Sequence, residues 1–223
     1  MASEDECVRD EKGLSTRPHR GLKTEAEARS AYWMLYAKLL FIQAPAVAWP
    51  LYFAAKRVAP VEDKLAFAHE HGLGWVFLAW WVVYVMRILL SINANAVRAA
   101  AKVDRPDQHV YRLMSAKCDA EPYVMMVNTG DLGRWNRAQR ACYNTDESLP
   151  VFLSGLVLVA IVYGPVAFGL AALNAYGRVT FARLYTESQA SREAGFLPAV
   201  ISEHLSAALL MVAAINSFAT APF

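Results

Sequence analysis

The chain has 223 residues, 56% of them hydrophobic and 19% charged, with a formal net charge of +2 and a mean hydropathy of +0.23. So small a charge gives no electrostatic footprint for nucleic acid. Cys7, Cys118 and Cys142 are widely spaced and odd in number, which argues against a disulfide framework or a zinc site.

The apolar residues are gathered into runs of helical length, and that pattern predicts an all-α integral membrane bundle. Residues 1–29 mix both signs and hold no apolar core of signal-peptide length, so they read as a charged cytosolic tail, disordered to about Thr24. Residues 30–58 form the first predicted span. Lys38 interrupts it, and Pro45 and Pro50 each remove a helix hydrogen bond that neighbours can replace. Trp33, Tyr36, Trp49 and Tyr52 suit membrane interfaces and Lys56 with Arg57 suit headgroups, so a kinked span fits better than an interfacial helix. Residues 59–71 read as a polar loop. Its His69, Glu70 and His71 are adjacent, share no helix face, and are expected to be solvated rather than metal ligands.

The second predicted span, 72–103, carries a polar stripe of Arg87, Ser91, Asn95 and Arg98 on one face. It suits either one wall of a cleft or ordinary hydrogen bonding between helices. Residues 104–131 make the longest predicted loop, punctuated by Pro106 and Pro122; its apolar run 124–127 is expected on the bilayer surface or beneath the bundle.

The next helix begins polar and ends as a span. Arg137, Arg140, Asn144 and Glu147 share one face within roughly 80° of arc, and no charged residue occurs from 148 to 177. Ionisable side chains near membrane depth face a bundle interior, a watery cavity or a ligand, so this is a candidate site; the alternative is a helix-end cluster snorkelling to the headgroups. Gly164-Pro165 predicts a tight turn. The returning helix, 166–187, brings Arg178, Phe181 and Tyr185 back on one face, and the final span covers 196–219. Glu203 and His204 near its start are expected to pair with a neighbouring helix rather than to act in catalysis.

Five spans put Arg105, Arg112, Lys117, Arg134 and Arg192 on one side, against Lys56, Arg57 and Lys64 on the other. The first side is therefore expected to be cytosolic, and both polar helix ends open toward it. The polar residues stop near that face and leave no midplane path, which argues against a transporter.

The run Arg137-x-x-Arg140-Ala141-x-x-Asn144-x-x-Glu147-x-x-Pro150, leading into an apolar helix, resembles the signature of the MAPEG family, the membrane-associated proteins in eicosanoid and glutathione metabolism. Val97-Arg98 through Lys102-Val103, with Pro106-Asp107 after it, resembles the end of that family's first helix and its cytosolic loop. Gly177-Arg178 with Tyr185 resembles its third helix, and Arg192 follows Tyr185 at the spacing of leukotriene C synthase. The resemblance covers residues 72–223 as a MAPEG-like four-helix transmembrane domain and leaves 30–58 as an additional transmembrane helix.

The resemblance implies a homotrimer in which glutathione, the co-substrate, lies between protomers on the cytosolic side. By position, Arg98, Arg140, Asn144, Glu147, Arg178 and Tyr185 would bind the tripeptide, and Arg192 would be catalytic, stabilising the thiolate. Guanidinium groups suit the two peptide carboxylates and Glu147 the ammonium. A lipophilic electrophile or lipid hydroperoxide would arrive from the bilayer, and no metal is required. The expected activity is that of a glutathione transferase or peroxidase; the alternative is a non-catalytic lipid-binding or structural subunit.

Three positions depart from the family pattern: Cys142 stands where His or Gln is usual, Tyr143 where smaller or basic residues are common, and Phe181 where a His or Tyr often helps to hold glutathione. Cys142 is expected to be an inert buried thiol. The additional helix offers packing against the bundle or docking to a membrane protein partner. No address motif is visible; a microsomal, endoplasmic reticulum location is the expectation, with a mitochondrial membrane as the alternative.

Overall fold

The computed structural model describes residues 14, 16, 21–103, 108–114 and 122–220. Most of the charged tail, Cys7, Arg105, Pro106-Asp107, Lys117 and Cys118 lie outside the described residues. Helix α1, Glu25–Lys38, opens on a capping box: the Thr24 hydroxyl accepts from the Glu27 amide, while the Glu27 carboxylate accepts from the Thr24 amide. It therefore starts five residues before the predicted span, because the cap and not the first apolar residue sets its start. One turn of π-helix, Leu39–Gln43, joins it to α2, Ala44–Val58, immediately before Pro45. A widened turn accommodates the ring and missing donor of proline without breaking the helix.

The two halves of this long helix have different surroundings. Ala28 and Tyr32 of α1 are buried against Ile88, Ile92, Ala96 and Ala99 of α4, Gly74–Ala101. In α2 nothing is buried, and Val47, Trp49, Leu51 and Phe53 stand exposed. Between them and α4, where a polar loop is predicted, lies another helix, α3, Val61–Glu70. Glu62 and Asp63 occupy its first turn, where they complement the helix dipole, and Glu62 pairs with Lys56. His71 at its end stacks on Phe67 at 4.0 Å.

After α4 the chain turns through Lys102 in the left-handed conformation. It then forms a two-stranded antiparallel hairpin, β1 Tyr111–Met114 with β2 Tyr123–Met126, inside the predicted loop. Asn136 holds the hairpin's base. Its side chain accepts from the Val110 amide and donates to the carbonyls of Val110 and Val127, both at 2.7 Å.

Helix α5, Gly130–Val162, has 33 residues. At 1.5 Å per residue it is about 50 Å long, well beyond the ~30 Å hydrocarbon core, so its polar start stands outside or at the edge of the apolar layer. Tyr163 breaks the helix and α6, Gly164–Glu187, returns at once beside it, forming the predicted hairpin of helices. A 3-10 turn, Gln189–Arg192, leads into α7, Glu193–Thr220.

Helices α4, α5, α6 and α7 form the bundle, with α6 packed against all three others. Among the described residues, four helical stretches are long and apolar enough to cross a membrane: Glu25–Val58, Gly74–Ala101, Gly130–Val162 and Gln189–Ala219. Five spans are predicted. Asn174, Tyr176 and Arg178 lower the hydropathy of α6, and its central position places Asn174 and Arg178 against protein rather than lipid. The crossing of α6 and α7 is very close. A Cβ on Gly195 would stand 2.0 Å from the Phe181 amide nitrogen, and one on Gly177 would stand 2.5 Å from that of Ala199.

Candidate functional site

Between α5, α6 and α7, on the half of the bundle nearer the β-hairpin, lies an open cavity of about 640 Å³. Asn144, Glu147, Ser148, Arg178, Phe181, Arg192, Glu193, Phe196, Val200 and Glu203 line it. From Glu193 to Glu203 it follows α7 for about 15 Å, three turns of helix. The close crossing at Gly177 and Gly195 brings the polar residues of α6 and α7 together.

At the inner end Arg178 is 8% exposed and is held on several sides. Its guanidinium pairs with Glu203, donates to the Ser148 hydroxyl and reaches the Asn144 carbonyl at 3.3 Å. The Glu203 carboxylate also accepts from Asn174 Nδ2 and Ser148 Oγ, each at 3.3 Å. Asn174 in turn donates to Ser202 Oγ at 2.9 Å. Two charges at this depth are tolerable because each is hydrogen-bonded by further partners. The expected pairing of Glu203 with a neighbouring helix is thus the contact to Arg178, while Ser148 and Asn174 are not among the expected site residues. Asn174 carried one local signal, its position four residues before Arg178 on the same helix face.

At the outer end the groups are more open. Arg140 and Glu147, two turns apart on α5, form an ion pair of 3.1 Å with side chains 43% and 60% exposed. Arg192 lies on the 3-10 turn at the rim, exposed, with no ion pair among the described residues. Phe181, Phe196 and Val200 supply an apolar wall. Tyr185 stacks behind Phe181, ring centroids 5.3 Å apart.

The predicted residues thus divide. Asn144, Glu147, Arg178 and Arg192 line one cavity, Arg140 touches it through Glu147, and Tyr185 touches it through Phe181. Arg98 is elsewhere: it is buried at the end of α4 over the ring of Trp135, 4.1 Å from the centroid, and donates to the Val103 carbonyl. Arg137, on the same face as Arg140, is a helix cap. It donates to the carbonyls of Tyr185, Thr186 and Glu187 at the end of α6 and to that of Asn128. On α4, Arg87 pairs with Asp146 of α5 at 2.9 Å. That stripe therefore joins two helices and does not face the cavity. Cys142 is buried and free, its Sγ 3.6 Å from the Leu90 carbonyl. Among the described residues no three His, Cys, Asp or Glu side chains are placed to hold a metal ion.

Residues 73–216, which carry α4, α5, α6, all but the last turn of α7 and every residue of this cavity, match the model of the MAPEG family. The chain belongs to the MAPEG family. Membership makes it an integral membrane protein of a glutathione-related group in the general sense. The MAPEG match begins after α3, so α1, α2 and α3 lie before it. No curated protein matches the chain.

Proposed function

We propose that this MAPEG chain is a membrane-bound glutathione transferase or peroxidase acting on a lipophilic electrophile or lipid hydroperoxide from the cytosolic face of its membrane. The observation that carries the reading is the joining of Arg178, Arg192, Glu147 and Asn144 in one cavity with an apolar wall. Glutathione has two carboxylates, an ammonium and a thiol. Arg192 and Arg140 offer fork-shaped donors for anionic groups, and Glu147 offers an acceptor for the ammonium. A thiol of pKa about 8.5 is largely protonated at neutral pH, and a guanidinium within hydrogen-bond reach lowers that value. The thiol gives its proton to water, and Arg192 at the rim stabilises the thiolate left behind. The thiolate then forms a carbon–sulfur bond with the electrophile as the leaving group departs. Phe181, Phe196 and Val200 hold the apolar substrate beside it.

Arg178 is already engaged by Glu203, so it positions Asn144 and Ser148 more than it binds a free carboxylate. Arg98, spent on Trp135 within the protomer, is left out. Assembly as a homotrimer in the endoplasmic reticulum belongs to this proposal.

A second reading is a MAPEG-fold binding or structural subunit without turnover. The Arg178–Glu203 pair and the apolar Phe181 favour it, since both remove polar contacts from a peptide ligand. Thiolate absorbance on adding glutathione to purified protein, wild type against Arg192→Ala, separates the two. A signal that the variant loses while still binding glutathione supports the enzyme. Binding without a thiolate signal supports the second reading.

A further inference from the structure

A second cavity, of about 790 Å³, lies where α1 packs against α4 and α6. Its walls come partly from α1, which lies before the MAPEG match, and none of its residues lines the cavity between α5, α6 and α7. The two sites can therefore be tested separately.

The groove is layered along the bundle axis. At its outer end Arg134 of α5 ties Glu25 of α1, at 2.9 Å, to Glu187 of α6, at 2.6 Å, so these three residues mark one level. Arg29 lies four residues beyond Glu25, and Arg183 four before Glu187; each is about 6 Å further inward at 1.5 Å per residue. Asn93 of α4 joins that second level. It accepts from Arg29 at 3.5 Å and donates to Thr186 at 3.0 Å. Another turn inward stand Trp33, Leu89 and Val179, four residues from Arg29, Asn93 and Arg183 respectively, and all three line the groove. A charged layer therefore sits directly above an apolar one.

The charges do not balance. Glu25 takes Arg29 at 2.6 Å and Arg134 takes Glu187, while Arg183 is exposed and has no ion pair among the described residues. An unbalanced guanidinium above apolar walls, beside a helix that can cross the bilayer, asks for an amphiphile with one negative charge. A purely apolar helix from a partner would leave that charge buried and unanswered. We propose that this groove binds an anionic phospholipid of the surrounding bilayer. Its phosphate lies between Arg29 and Arg183, and an acyl chain lies against Trp33, Leu89 and Val179.

The experiment is native mass spectrometry of the full chain in detergent, titrated with dioleoyl phosphatidylglycerol, dioleoyl phosphatidylcholine or oleate. Wild type should retain one phosphatidylglycerol per chain, preferred over phosphatidylcholine by about fivefold, the effect of one basic residue near a membrane surface. Arg183→Gln should abolish the preference. Val179→Trp, which fills the apolar layer and keeps every charge, should lower retention of both phospholipids. Glutathione binding should be unchanged in both variants, which separates this site from the proposed enzyme cavity. Equal retention of the two phospholipids by wild type, or an undiminished preference in Arg183→Gln, overturns the proposal. Retention of oleate in place of phosphatidylglycerol at equal concentration also overturns it, since the occupant would then be a free fatty acid.

Discussion

Arg178 on α6 is held by Glu203 on α7, and the same carboxylate accepts from Asn174 and Ser148. With side chains 10% and 20% exposed, both charges are largely shielded from water. Glu203→Ala should therefore destabilise the protein by about 3 kcal/mol, the low end for breaking a buried pair. The double variant Arg178→Met with Glu203→Leu should regain most of that loss, since it leaves no orphaned charge. Thermal unfolding in detergent reads both. A Glu203→Ala variant as stable as wild type would show the pair to be solvated.

Arg192 should behave in the opposite way. It is exposed at the rim, so Arg192→Ala should leave the melting temperature within a degree or two while removing the thiolate signal and about 10²-fold or more of kcat. Arg192→Lys should restore part of the charge effect but not the fork geometry. Steady-state kinetics with a small lipophilic electrophile, beside a melt, tests the split; loss of stability together with activity would make Arg192 structural.

Arg137 caps α6 by donating to three of its last carbonyls. Arg137→Ala should cost roughly 1.5–3 kcal/mol, the range for hydrogen bonds to a charged group. The loss should appear first as faster amide exchange at the α6 C-terminus and the 3-10 turn. Uniform exchange along α6 would contradict the cap.

His109, in the segment leading into the hairpin, is held below its ordinary value of 6.5 by burial and secondarily by the Arg140 charge. Its folded value lies under its unfolded one, so the unfolded chain binds the proton more readily. The stability tied to neutral His109 is present above about pH 6.5 and is lost as pH falls through the folded value. Amide protection factors at the β1–β2 base, taken relative to the intrinsic exchange rate at each pH, should fall between pH 7 and pH 5 in wild type. In His109→Gln that acid-side loss of protection should be absent. An identical pH profile in the two proteins would remove His109 from the account.

Some structural features were legible because they are local. The 3.6-residue period places Arg137, Arg140, Asn144 and Glu147 on one face whatever surrounds the helix. The Gly164-Pro165 pair marks the α5–α6 turn on chemistry confined to adjacent residues. Others were local too, yet hidden by stronger patterns. The α3 helix was masked by a polar composition that reads as loop, and the hairpin by the prolines and charges around its strands. The capping box at Thr24 and Glu27 was present in the sequence all along and moves the start of α1 outward.

The sequence by itself determined the apolar helices of the bundle, their polar faces, and the family to which the arrangement belongs, because helical periodicity and the cost of charge in an apolar run act within one segment. Only the tertiary structure decided which partner each polar group takes. Arg178 chose Glu203, Arg137 the carbonyls of α6, and Arg98 the ring of Trp135. Those choices follow from where helices cross, and the α6–α7 crossing is as close as it is because Gly177 and Gly195 present no side chain to the facing backbone. A side chain's charge is written in its own residue. The group that neutralises it is supplied by another helix, through a distance no spacing in the chain encodes.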